Sequence, residues 1–272
     1  MKKAVAVIEL VTPYYVSKNL FFPKMGPNHV LLNIMFKYPH GIIEKNKYAV
    51  KVLQVLRCVF IMSFLSFPKL IFAQKQKEID LPKLYKTGKL IPINRELKLF
   101  SNDSVTYLRV LENKKEGIVW LPLKQFKNGT IEIEMRGKDV FQRSFIGIAF
   151  HGLNDSVYDA VYCRPFNFFA KDSVRRIHAI QYISHPGFTW EKLRNEKNAV
   201  FEKQIIYPPD PNGWFTLKLV ITDSIVKAFI DDNEIASLVV KKLNTRQSGK
   251  TGFFTGDSSD GDFKKVKLSY YK

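Results

Sequence analysis

Apolar and polar residues alternate strictly along residues 130–136 (TIEIEMR). Ile131, Ile133 and Met135 fall on one side, and Glu132, Glu134 and Arg136 on the other. A period of two puts successive side chains on opposite faces of a strand. The same alternation, or an apolar run of strand length, recurs at 105–111, 117–121, 144–151, 158–166, 177–183 and 201–207, then at 214–222, 225–231, 235–240, 252–256 and 263–270. Turn chemistry separates these runs: Asn128-Gly129, Asn154-Asp155, Pro186-Gly187, Asp223-Ser224, Asp232-Asn233 and the proline-rich connector 208–213. About a dozen short strands at even spacing predict an all-β sandwich or barrel. Between them, residues 188–196 (FTWEKLRNE) are expected as a short helix or an ordered loop. Residues 81–99 break into short apolar pieces among Pro, Gly and charges.

The first quarter of the chain reads differently. Residues 1–50 are basic with no sustained period, as a long leader or a misplaced start would be. Within 51–73, Lys51 and Arg57 precede the apolar run CVFIMSFLSF, and Ala73 follows shortly after. A basic flank, an apolar stretch of about ten residues and a small residue before the cut make a secretory signal peptide. The run is too short to span a bilayer, which takes about twenty residues. The segment therefore predicts export to the periplasm or the exterior, with membrane contact only in transit. Residues 75–272 remain as one folded domain. Of its cysteines only Cys163 lies beyond the leader, so no internal disulfide can form there.

The net charge of +18 suggests a nucleic-acid partner until its distribution is read. Residues 1–74 hold ten Lys/Arg and two Asp/Glu, which leaves 33 and 23 in the remainder. Those charges are scattered through strands and turns, and no helix-turn-helix, zinc-finger or RNA-recognition pattern accompanies them. A solvated basic surface, and no nucleic acid, is the expectation.

Chemistry concentrates between Ser144 and Arg194. Alternation puts Tyr158, Ala160, Tyr162 and Arg164 on one face, and Asp159, Val161 and Cys163 on the other. Arg164 offers a planar fork of donors, and Asn167 a donor and an acceptor. With Tyr162 to stack on, they form a sugar subsite or a structural network. His178 and Tyr182 share a face of the next run and are candidate ligand contacts, with Gln181 pointing the other way. His178 is a candidate acid or base, or a hydrogen-bonded core histidine. Trp190 and Arg194 are four apart and would share one side of a helical turn; Trp190 would present a plate to a sugar. Glu202 is a spare carboxylate near this loop and a candidate catalytic acid. Glu132 and Glu134 could act as a pair, but beside Arg136 they read as a solvated outer face. Asp257, Asp260 and Asp262 have the oxygen donors of a calcium loop without its spacing. A polar turn is the favoured reading, and no cofactor or metal is expected. Cys163 reads as a small buried hydrophobe.

In order and spacing, NGTIEIEMRG, SFIGIAFHG, YDAVYCRPFNF, HAIQYIS, Trp214 with its hairpin and KTGFFTGDSSDGDFKKVKL resemble the secreted bacterial concanavalin A-like lectin/glucanase superfamily. More narrowly they are similar to 3-keto-disaccharide hydrolase and family-16 glycoside hydrolase-like domains, over about residues 116–268. The resemblance implies a two-sheet antiparallel jelly roll with a concave face suited to glycans. Family-16 glucanases carry their acids in a Glu-x-Asp-x-x-Glu strand, and this chain has none; TIEIEMRG is similar to an earlier framework strand instead. The first expectation is a secreted, saccharide-recognising sandwich. The alternatives are a glycoside hydrolase acting on disaccharides or 3-keto-glycosides, and a non-catalytic surface interaction module.

Overall fold

A computed structural model describes residues 76–101 and 104–271. The expectations for 1–50 and for the leader 51–73 lie outside the described residues. Among these, fifteen strands form two antiparallel sheets. In chain order they are β1 (Gln76–Ile79), β2 (Ile91–Ile93), β3 (Leu97–Ser101), β4 (Thr106–Val110), β5 (Gly117–Trp120), β6 (Gly129–Arg136), β7 (Ile146–Gly152) and β8 (Asp159–Cys163). There follow β9 (Ile180–Ser184), β10 (Glu202–Lys203), β11 (Trp214–Ile221), β12 (Ile225–Ile230), β13 (Leu238–Lys241), β14 (Lys250–Thr255) and β15 (Gly261–Tyr270). The first sheet runs β13-β12-β11-β6-β15-β4-β3, with β1 also on β15. The second runs β10-β9-β8-β7-β14-β5-β2. The all-β sandwich expected from the alternation is what the chain forms.

The strongest sequence signal gives the clearest strand. In β6, Ile131, Ile133 and Met135 are fully buried, while Glu132, Glu134 and Arg136 stay partly exposed. On that outer face Glu132 pairs with Lys267, and Glu134 with Lys264 and Lys265, so the two glutamates belong to a solvated charge ladder. The turn before β6 needs its glycine. Gly129 has φ +149°, and a β carbon there would collide with the carbonyl of Ser269.

The core lies between the sheets, where Phe253 of β14 stacks on Phe263 of β15 with centroids 4.3 Å apart. That contact identifies the inner face of the second sheet. Register carries the same face from Phe253 to Ile148, Val161 and Tyr182. The opposite row is Phe254, Gly147, Tyr162, Gln181 and Glu202, on five adjacent strands. Cys163 lies on the inner face, as alternation requires, and burial raises its thiol pKa.

Boundaries differ from the sequence reading where local capping competes with strand propensity. Residues 81–99, read as short apolar pieces in a β pattern, begin instead with a helix, α1 (Leu81–Lys86), which has Asp80 accepting from the Lys83 amide and proline in its first turn. The strand expected over 177–183 starts only at Ile180, because Asp172 caps a single-turn helix, α2 (Ser173–Ile177). The strand expected over 158–166 ends at Cys163 and passes into a 3-10 turn at Pro165–Asn167. Of 201–207 only Glu202–Lys203 pairs. Residues 188–196 give α3 (Trp190–Glu196), capped by Thr189 and anchored by buried Leu193. Among the described residues no helix is long and apolar enough to cross a membrane.

Candidate functional site

The outer row of the second sheet ends in a polar cluster. β8 delivers Tyr162 and, one residue past its end, Arg164. β9 delivers Gln181, and the short β10 delivers Glu202. Gly147 sits beside Tyr162, and a β carbon there would strike the Val161 carbonyl and the Tyr162 side chain. Its absence lets Tyr162 lie close over β7. Phe254 packs against Tyr162 at 5.1 Å, and Phe145 edge-on at 6.2 Å.

Arg164 is the hub. It is 3% exposed, yet its guanidinium donates to the carbonyl of His178 (2.8 Å), to the Tyr162 hydroxyl (2.8 Å) and to the Gln181 side-chain oxygen. Tyr162 also donates to that Gln181 oxygen at 2.8 Å. The Arg164 charge is balanced by Glu202, 1% exposed, at 3.8 Å. Glu202 in turn receives a fork from Arg194, at 3.1 and 2.8 Å on its two oxygens. His178 Nδ1 lies 2.8 Å from Glu202 Oε2 without the alignment of a hydrogen bond. One buried carboxylate thus serves two arginines and faces a histidine.

Burial shifts the titrations. It pushes the Tyr162 hydroxyl up to about 12 and depresses the Arg164 guanidinium. His178 falls below its ordinary value, first through desolvation and then through the arginine charges, against the pull of Glu202.

The cluster reaches solvent through α3. Trp190 and Arg194, four apart on that helix, share a side as expected, with the guanidinium 5.2 Å from the ring centre. Trp190 is 42% exposed, and its own carbonyl accepts from Gln181 at 3.3 Å. The plate is thereby tied to the buried network. Just before β8, Tyr158 packs against His185 with the rings tilted (centroids 5.0 Å apart) and donates to Glu116 (2.9 Å). Burial opposes the charge on Glu116, but the contacts with His185 and Tyr158 outweigh it and lower its pKa.

The residues singled out from sequence sort clearly. Tyr162, Arg164, His178, Trp190, Arg194 and Glu202 come together at this end of the sheet. His178 gets there as the residue capping α2, not as a strand position. Asn167 is buried beneath, accepting from Arg175 at 3.2 Å and reaching the His178 carbonyl at 3.4 Å. It braces the turn and has little surface of its own.

Tyr182 is a correction: strand alternation turns it to the inner face, 0% exposed, where it packs on Phe150 and Phe201 and its hydroxyl accepts from the Leu243 amide. It cannot meet a ligand beside Tyr162. Gln181 is the member that sequence reasoning passed over: alternation set it opposite Tyr182, and the β8–β9 register puts it on the Tyr162 face. The three aspartates do not converge. Asp262 is bound by Arg109 and Arg136, Asp260 by Lys138, and Asp257 by the Lys115 amide. Among the described residues no three His, Cys, Asp or Glu side chains are grouped to hold a metal.

No family model matches the chain, and no curated protein matches it. Among solved structures, the carbohydrate binding module CBM66 from Bacillus subtilis aligns with a TM-score of 0.47 and 14% identity, over 66% of this chain and 95% of its own. A Bacillus subtilis protein of unknown function with a galectin-like fold aligns at 0.49 and 12% identity, over 71% and 94%. The exoplasmic/lumenal domain of VIP36 in its Ca2+/Man-bound form aligns at 0.46 and 10% identity, over 71% and 89%.

Proposed function

We propose that this chain is a saccharide-binding β-sandwich whose ligand lies on the outer face of the second sheet, against Trp190, Arg194 and His178. The observation that carries the reading is the coupling of a half-exposed tryptophan to a buried donor network. Trp190 sits over Arg194, which grips Glu202, which balances Arg164. A pyranose has an apolar C–H face and an equatorial rim of hydroxyls. An aromatic plate with fixed guanidinium and imidazole donors matches both. Rigid positioning from beneath lowers the ordering cost of binding.

Binding is favoured over hydrolysis because of how Glu202 is held. A general acid must present a proton to the leaving oxygen. Glu202 is buried, with both oxygens engaged by Arg194 and with Arg164 and His178 alongside. It serves this reading as the anchor of the arginines. Glu116, the carboxylate beside Tyr158, is likewise engaged, accepting from the Tyr158 hydroxyl at 2.9 Å and facing His185 at 3.2 Å. Export, as the 51–73 leader implies, belongs to the same reading.

The test is a panel of neutral, charged and 3-keto oligosaccharides, with binding followed by calorimetry and products by chromatography. Binding without turnover, lost in Trp190→Ala and Arg194→Ala, is expected. Turnover abolished by Glu202→Gln would replace the reading with a hydrolase.

A further inference from the structure

The first sheet has an outer face that the saccharide reading leaves unused, and its centre is built like a receptor for anions. Asp262 of β15 is 3% exposed and lies between Arg109 of β4 and Arg136 of β6. Arg109 donates to it through Nε (2.6 Å) and Nη2 (2.8 Å), and Arg136 through Nε (3.0 Å) and Nη2 (2.6 Å). The Nη1 group of each guanidinium makes no hydrogen bond among the described residues. Asp262 therefore fixes both arginines edge-on while one corner of each stays open.

Aromatic rings hold the planes in place. Arg136 lies 4.7 Å from the centre of Trp214 and 5.2 Å from that of Tyr107. Arg109 lies 5.0 Å from the centre of Phe100, which stacks on Tyr107. Both arginines line a cleft of about 310 Å³ with Lys138, Asn212 and Asp260. Tyr107 and Lys264 border a second cleft of about 590 Å³. Both volumes are of the size used by small ligands.

Cations outnumber carboxylates here. Asp262 is shared by two arginines, and Glu134 by Lys264 and Lys265. Each cluster keeps one positive charge more than it needs. Folding alone gives no reason to bury a carboxylate under two guanidiniums, since such groups contribute little net stability over apolar packing. Paired guanidiniums with open corners suit a planar or tetrahedral oxyanion.

We propose that the outer face of the first sheet carries a second binding site, for an anionic saccharide whose carboxylate or sulfate groups meet Arg109, Arg136 and Lys138. The carboxylates set among the cations favour this ligand over a nucleic acid. Asp260 and Glu134 can accept from sugar hydroxyls, whereas they would repel a continuous phosphate backbone. Rings flanking the arginines supply apolar plates for the sugar faces.

The experiment uses the purified full chain, titrated calorimetrically with four probes: oligogalacturonate, a sulfated oligosaccharide, maltohexaose and a dodecameric single-stranded DNA. Binding of oligogalacturonate or the sulfated sugar is expected, weakening as salt rises. The two anionic probes separate carboxylate from sulfate as the recognised group. Arg136→Lys, which keeps the charge but not the fork, should weaken that binding about tenfold or more. Lys138→Ala, a partly exposed position that leaves Asp262 paired, should weaken it several-fold. Lys89→Ala, an exposed charge elsewhere, should leave it unchanged. The proposal is overturned if neither anionic sugar binds, if DNA binds more tightly than both, or if Lys89→Ala costs as much affinity as Lys138→Ala. It is equally overturned if neither site variant has an effect in protein that melts within a few degrees of wild type.

Discussion

Replacing Glu202 by glutamine removes one charge from the buried network and little else. Glutamine keeps the shape and one acceptor, so the loss is electrostatic. Arg164, 3% exposed, would then face Arg194 with no counter-charge between them. Breaking a buried pair by removing one partner costs about 3–5 kcal/mol. Two features pull the value to the lower end. Arg164 keeps its bonds to the His178 carbonyl, Tyr162 and Gln181, and Arg194 can turn outward to water. About 3 kcal/mol is the expected cost, which in a domain of roughly 200 residues lowers Tm by about 6–12 °C. Urea unfolding followed by tryptophan fluorescence gives the free energy, and calorimetry the Tm. Arg194→Ala removes the outer fork alone and should cost about 1 kcal/mol. A Glu202→Gln protein within about 1 kcal/mol of wild type would refute the argument, because Arg164 would then need no carboxylate.

Three further outcomes follow from single residues. His151, fully buried, has its pKa lowered to about 4, chiefly by burial, and its Nε2 reaches the Lys127 carbonyl. Its neutral form is the folded form, so the associated stability is complete above about 6.5 and lost as pH falls toward 4. The shift corresponds to about 3 kcal/mol, and His151→Gln should flatten urea midpoints between pH 7 and 4. Cys163 should resist thiol reagents in the native protein and react fully in urea, since burial keeps it as the thiol; native-state labelling at pH 8 would contradict its position. Gly147→Ala should destabilise by about 1–3 kcal/mol, read as a lower Tm, because its methyl group would meet the Val161 carbonyl.

Much of the fold was legible because a half-buried strand writes its faces into the sequence. β6 and the row Tyr158, Ala160, Tyr162 and Arg164 followed from period two alone. What stayed hidden is non-local. Nothing within YCRPFN says that Glu202, nearly forty residues on, lies on the same row two strands away; register sets that. The α2 helix was hidden instead because Ser173–Ile177 is a single turn with two arginines and no apolar period, and its signal is local: the Asp172 side chain accepts from the Val174 amide. Tyr182 shows the same non-local limit: its chemistry invited a ligand role, alternation only set it opposite Gln181, and pairing with β8 decides that it is Tyr182 that faces the core. The Arg109–Asp262–Arg136 cluster drew attention from sequence only as an aspartate-rich turn. Its partners come from β4 and β6, which no local motif joins to β15.

Calorimetric titration of the oligosaccharide panel into wild-type and Trp190→Ala protein tests the central claim most directly. Trp190 is half-exposed, so its loss should leave Tm within a few degrees and separate recognition from folding. The account predicts that at least one glycan binds wild type without being cleaved, and that Trp190→Ala weakens that binding about tenfold or more. Binding left intact in the variant, or no glycan bound by a well-folded wild type, would contradict it.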